Sequence, residues 1–243
     1  MINADDRAAL GRLMDVEHDL SGFTNIARLF PLPGVLMFPH SVLPLHIFEP
    51  RYRQMTEDVL AGDRLVTIVQ VRQPVRLIAP GTPVIEEVGC VGRIIQHERL
   101  PDGKFNYLLL GLRRVRIERE VPSGKLYRTA IASLLDDDYD PEDTSEARAA
   151  RREELAALFL EVFERVHRVD ADLHRLLDTA PEAVLTDVVA HACDLPIDLK
   201  QRLLAETRVN VRGVALLEEL RMIAAGANKA SRPGRFPPPF SVN

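Results

Sequence analysis

The sequence predicts an α+β protein: an N-terminal antiparallel β sub-domain over residues 24–135, then a C-terminal helical bundle over 147–227. Three observations carry this. The apolar period changes from two to about 3.6 near residue 136. The acidic, proline-containing stretch DDDYDPEDTSE, residues 136–146, stands at the change and reads as a linker. The tight-turn signals Pro101-Asp102-Gly103-Lys104 and Pro122-Ser123-Gly124 both precede it.

The elements follow in order. Residues 30–52 are apolar but carry prolines at 31, 33, 39, 44 and 50, which bar a helix interior and a central strand. This stretch is expected to be extended backbone at an edge or crossing. Pro50 opens and Gly62 closes a helix whose Tyr52, Met55 and Val59 share one face. The β-branched run 65–71 is a short strand, and 91–99 is another, returning as 105–110. In 112–121, Arg114, Arg116, Glu118 and Glu120 alternate with Val115 and Ile117, the pattern of a half-buried strand. Residues 127–135 complete the set.

Beyond the acidic stretch, Leu155, Leu158, Phe159, Val162, Phe163 and Val166 recur at helical steps. Thr179-Ala180-Pro181-Glu182 fits a capping box, and Asp194-Leu195-Pro196 is a further start. A last helix carries Leu216, Leu220 and Ile223 before Gly226. The ends, 1–23 and 228–243, are expected to be flexible or loosely docked. The second contains the proline-rich SRPGRFPPPFSVN, an end that could dock on a partner.

Composition narrows the function. Apolar residues are 46% of the chain and charged residues 28%, the balance of a globular protein. A net charge of −5 argues against nucleic acid, whose binding rests on clustered cations. The arginines at 113, 114, 116 and 119 are neutralised in part by Glu118 and Glu120. Cys90 and Cys193 are too few for a disulfide framework or zinc site and read as buried hydrophobes in a reducing compartment. The N-terminus lacks a signal-peptide pattern, and no apolar run approaches the ~18 residues of a membrane span. A cytoplasmic protein, monomer or weak dimer, is expected.

The search for chemistry returns little. Gly103-Lys104 and Gly124-Lys125 lack the earlier glycine of a phosphate loop, and G-x-S-x-G is absent. Ser123 and Lys125 belong to a turn. His97-Glu98 opens like H-E-x-x-H, but position 101 is proline. His167, Asp170 and His174 would share a helical face, yet Arg165, Arg168 and Arg175 intersperse them. No catalytic residue, cofactor or metal ligand is expected.

Five stretches together resemble a known family. They are Leu29-Phe30-Pro31-Leu32-Pro33 with Phe38-Pro39 and Pro44-Leu45; Val88-Gly89-Cys90-Val91-Gly92-Arg93-Ile94; Leu110-Gly111-Leu112-Arg113-Arg114-Val115-Arg116-Ile117; Leu185-Thr186-Asp187-Val188-Val189-Ala190; and Lys200-Gln201-Arg202-Leu203-Leu204-Ala205-Glu206. In this order they resemble the N-terminal substrate-binding domain of Lon proteases, with Cys90 and Gly92 as departures. Ile47-Phe48-Glu49-Pro50-Arg51-Tyr52 is similar to stand-alone bacterial members more than to the full protease.

The resemblance implies a PUA-like pseudo-barrel with one inserted helix, a following bundle, and contact with substrate polypeptides. It supplies no catalysis, because the family's catalytic residues lie outside this domain. The expected role is a non-catalytic polypeptide-binding module, an adaptor or chaperone-like protein in proteolysis. Its partners would be unfolded or partly folded segments and a protease, without nucleic acid or membrane. Phe30, Leu36, Phe38, Pro39, Leu45, Phe48 and Tyr52 are its candidate binding residues. Strand addition at a sheet edge would supply backbone hydrogen bonds, with shallow pockets for side chains. The alternative is a small-molecule-binding module with a ligand at the junction of sheet and bundle.

Overall fold

A computed structural model describes residues 20, 22–79, 82–165 and 169–226. They divide into two compact units, one running to Leu135 and the other starting at Asp136. The first holds eight strands: β1 (Ile26–Leu32), β2 (Val42–Ile47), β3 (Leu65–Gln70), β4 (Leu77–Ala79), β5 (Thr82–Pro83), β6 (Val88–Arg99), β7 (Phe105–Val121) and β8 (Arg128–Leu135). One helix, α1 (Pro50–Leu60), is inserted between β2 and β3. The second unit holds α2 (Ser145–Glu164), α3 (Ala171–Thr179), α4 (Glu182–Ala192), α5 (Ile197–Ala205) and α6 (Val209–Ala224). The fold is α+β, as expected.

The long strand β7 organises the sheet. β6 lies along one edge of it; along the other, β2 pairs with its first part and β8 with its last. Because β6 leads through β3 and β1 back to β8, five strands close into a barrel and β2 is attached outside the ring. The residue pattern suggested two strands, 105–110 and 112–121, but they are one. Gly111 sits where the 38–41 loop crosses. There the Gly111 N–H donates to the Ser41 carbonyl and its own carbonyl accepts from His40 N–H, both at 2.8 Å. A Cβ at Gly111 would lie 2.0 Å from the Phe38 carbonyl oxygen, so only glycine fits.

The expectation of a purely antiparallel sheet needs one correction: β1 and β3 pair in parallel. The chain between them, containing β2 and α1, is long enough for the crossover that parallel pairing requires. Proline placement follows the hydrogen bonding. Pro44 lies in β2, which pairs only with β7. Pro31 lies in β1, which is interior, but past the point where β8 stops. Phe30, Phe38, Met37, Leu45 and Ile47 are at most 1% exposed and form much of this unit's core. Tyr52, Met55 and Val59 of α1 are buried as the periodicity predicts.

In the helical unit α2 packs on α4 and α6, and α4 also meets α5 and α6. Apolar side chains from α2 (Leu155, Phe159, Val162) and α6 (Leu216, Leu220) are buried there. Val166 lies outside the described residues. The Thr144 side chain caps α2 by accepting from Ala147 N–H. The capping box expected at 179–182 does not form. Thr179 instead ends α3, its hydroxyl donating to the Arg175 carbonyl, and Glu182 pairs with Arg151. α4 is buried on nearly every side, and its Asp187 lies 3.8 Å from Arg212, which is 1% exposed.

The acidic stretch 136–146 is built into this unit. Asp137 meets Arg212 at 2.9 Å, Asp138 exchanges backbone hydrogen bonds with Thr207 and Val209, and Asp143 holds Arg151 at 2.7 Å. Asp170 caps α3. With α2 ending at Glu164, Asp170 and His174 do not continue its face. His167 and both chain ends, 1–19 and 227–243, lie outside the described residues.

Candidate functional site

The β unit carries a groove of about 370 Å³, within the size range of ligand pockets. Its floor is the end of β1 and the start of α1: Pro31, Leu32, Pro33 and Tyr52. Val71, Val75, Leu77 and Pro83 form one wall, and Leu126, Tyr127 and Arg128 the other. Val75, Leu77 and Leu126 are 54%, 60% and 65% exposed, and Ile78 beside them 65%. Three of these large apolar side chains, Val75, Leu77 and Leu126, stand in water around one groove, which is the character of a binding surface more than of a folding requirement.

The polar groups here are already engaged with one another. Glu49 takes Arg51 at 2.7 Å, and the Arg51 guanidinium lies over the Tyr52 ring, 4.6 Å from its centroid. Arg128 is held by Glu120 and donates to the Pro83 carbonyl at 2.9 Å. The Tyr127 hydroxyl donates to Asp58 at 2.8 Å, and Lys125 meets the same carboxylate at 3.0 Å. Burial, then the Asp58 carboxylate, pushes the Tyr127 phenol up to about 12. Burial tends to raise Asp58, but hydrogen bonds from Lys125 and Tyr127 outweigh it and hold the carboxyl below its ordinary value. Gln54 accepts from Leu126 N–H at 2.9 Å, tying that wall to α1. The result is a fixed apolar trough rimmed by neutralised charge: an arrangement suited to binding.

The seven candidate residues are distributed unevenly around it. Tyr52 lines the groove, and Phe30 lies against it, the ring centroids 4.1 Å apart. Phe48 is half-buried with its ring 6.2 Å from that of His46. Leu36, Phe38, Pro39 and Leu45 are buried in the core, because the 33–41 loop folds over Gly111 and β2 turns Leu45 inward. The walls from 71–83 and 126–128 were missed from the sequence. Their signal was the short apolar run Val75-Arg76-Leu77-Ile78 between prolines 74 and 80, too short for a core element. Among the described residues no three His, Cys, Asp or Glu side chains are grouped to hold a metal ion. No helix among them is long and apolar enough to cross a membrane.

Residues 26–222 match the model of the ATP-dependent protease La (LON) substrate-binding domain. The chain belongs to this family. A Lon protease of Rhizobium meliloti (strain 1021) is 27% identical over 190 residues, covering 76% of this chain and 22% of that protein. Lon protease 1 of Syntrophobacter fumaroxidans is 26% identical over 195 residues, 79% of this chain and 23% of that one. The chain thus spans less than a quarter of the length of these relatives.

Two solved structures share the fold. The Lon N-terminal domain protein from Xanthomonas campestris has a TM-score of 0.55 and 24% identity, covering 79% of this chain and 97% of that one. The N-terminal domain of Mycobacterium avium complex Lon protease gives 0.61 and 17%, covering 81% and 98%. The family model that this chain matches is that of the substrate-binding domain.

Proposed function

We propose that this Lon-family chain is a non-catalytic polypeptide-binding module that seats extended apolar segments of other proteins in the groove between β1, α1 and the 126–128 wall. The carrying observation is the apolar rim of Val75, Leu77 and Leu126, exposed around a trough whose own polar groups are neutralised. Family membership supports the same reading, since the matched domain is named for substrate binding. The module would act as an adaptor, presenting unfolded or partly folded segments to a protease in the cytoplasm. Cys90 and Cys193, both buried and not joined in a disulfide, suit a reducing compartment.

A peptide array probed with wild-type protein and with Leu77→Asp/Leu126→Asp tests this. Both positions are exposed, so the two substitutions together should leave stability within about 1 kcal/mol of wild type. Wild type is expected to retain apolar peptides, and the double variant to lose them. Equal retention by both would remove the groove from the function.

A further inference from the structure

We infer that the groove takes the C-terminal end of a polypeptide, with the terminal carboxylate at the start of α1 and the last apolar side chains in the trough. This rests on the polypeptide-binding reading and specifies its ligand class. The floor supplies acceptors alone, because Pro31 and Pro33 carry carbonyls but no N–H. An incoming β-strand finds no donor there, so the strand addition expected from the sequence is disfavoured. Donors gather instead at the start of α1, where Glu49, Arg51 and Tyr52 line the groove.

Tyr52 is 5% exposed, and its ring is covered by Phe30, 4.1 Å away between centroids, and by the Arg51 guanidinium at 4.6 Å. What remains to meet the groove is the hydroxyl end. That hydroxyl makes no hydrogen bond to any described residue, and they do not seal it from solvent. A polar group set in a buried side chain at the wall of a groove calls for a partner. Burial, ahead of the neighbouring charges, raises the phenol above its ordinary value, so it donates at neutral pH. Arg51 adds to this. Its Nε and Nη2 both meet one oxygen of Glu49, at 2.9 and 2.7 Å. Its Nη1 engages no described residue, and the side chain is 41% exposed. Glu49 stands at the N-cap without a side-chain cap, so the first-turn N–H of Arg51 also meets no acceptor among the described residues.

The lining holds two arginines, Arg51 and Arg128, and one glutamate, Glu49, a balance that accepts one negative charge. Glu120, which holds Arg128, stands outside it. A chain terminus fits better than an acidic side chain. Its carboxylate and its last side chain branch from the same Cα, so one reaches the donors while the other enters the apolar trough beside them. An aspartate or glutamate spends its own side chain on the carboxylate and leaves the adjacent trough empty.

The test uses the full chain and the peptide Gly-Ser-Gly-Ser-Leu-Val-Leu, fluorescein-labelled at its amino end and made as the free acid and as the C-terminal amide. Wild type is expected to bind the acid about tenfold more tightly, the worth of a hydrogen bond to a charged group. Tyr52→Phe keeps the ring, and Glu49→Gln/Arg51→Gln removes both charges of the pair together. Each is expected to cut the preference to about threefold or less while leaving amide binding at its wild-type level. An amidated peptide with glutamate in place of valine offers a side-chain carboxylate and is expected to bind no more tightly than the amide. Equal binding of acid and amide by wild type, binding of neither, a preference untouched in both variants, or a glutamate peptide as tight as the acid would each overturn the proposal. Where acid and amide bind equally, their joint loss in Leu77→Asp/Leu126→Asp keeps the groove as a polypeptide site and only the carboxylate falls. Where neither binds, retention of apolar peptides on the array does the same.

Discussion

Individual residues in this chain divide into those that hold the fold together and those that stand in water around the groove, and exposure separates them. Gly111 belongs to the first set. Gly111→Ala would drive a methyl group into the Phe38 carbonyl oxygen, forcing the 38–41 loop away from β7. Overpacking of this kind costs about 1–3 kcal/mol, measurable as a shift in urea midpoint at unchanged slope. Arg212 belongs to the same set in the helical unit. It is 1% exposed between Asp137 and the buried Asp187 and also donates to the carbonyls of Glu206 and Thr207. Arg212→Met leaves the Asp187 carboxylate buried without this cation, so a loss of about 3–5 kcal/mol is expected in chemical denaturation.

The residue pattern made the glycine legible within the stretch 110–117 but not its reason, which is a loop passing over it. It likewise displayed Asp187 inside an apolar helix, while Arg212 lay too far along the chain to be named as its partner. Phe38 and Leu45 looked like groove residues because an apolar segment rich in proline reads the same whether it lines a core or a cleft.

At the scale of elements, the strongest sequence signals were periodic ones. The inserted helix and the 65–71 strand appear within a residue or two of their expected bounds, and the last helix, whose start was not predicted, ends at Ala224, just before Gly226. Long-range pairing was not legible. The parallel β1–β3 ladder and the fusion of two expected strands into β7 depend on which segments meet, and periodicity is silent on that. The failed capping box has a local cause. Pro181 takes the N-cap position of α4 with no side-chain cap, and the short α3 uses Thr179 at its own end.

The α4–α5 pair carries a pH dependence. Burial, and then the charge of nearby Lys200, pushes the His191 imidazole down to about 3. Lys200 donates to the His191 carbonyl at 3.0 Å. A histidine kept neutral in the folded state but free to protonate when unfolded contributes stability above its ordinary value near 6.5. That stability is lost as the pH falls from about 6.5 toward 3, at up to about 1.4 kcal/mol per pH unit. Thermal melts from pH 7 to 5 should therefore descend more steeply for wild type than for His191→Gln. Parallel slopes would mean the imidazole is accessible in the folded state.

For the whole molecule, sequence and structure agree on the α+β architecture, while the groove draws on segments that the sequence did not single out. The β unit and helical unit are both present, and the acidic stretch expected to link them is fastened to the helices through Asp137, Asp138 and Asp143. The groove is assembled from four separated segments, at 31–33, 49–52, 71–83 and 126–128, and only the first two had been singled out. A surface made from distant pieces of chain leaves a trace in sequence only where a piece is odd in itself. The apolar, proline-bounded 74–80 run is odd in that way. Because the groove's charges are paired internally, binding should depend weakly on salt and strongly on apolar side chains of the ligand.

The most direct measurement is a hydrogen-exchange footprint of the wild-type chain with and without an apolar client peptide. Added peptide is expected to slow exchange at 75–78 and 126–128 and at the start of α1, leaving the core segment 36–45 unchanged. Slowed exchange confined to the helical unit, or none anywhere with peptide bound, would contradict a groove that binds polypeptide.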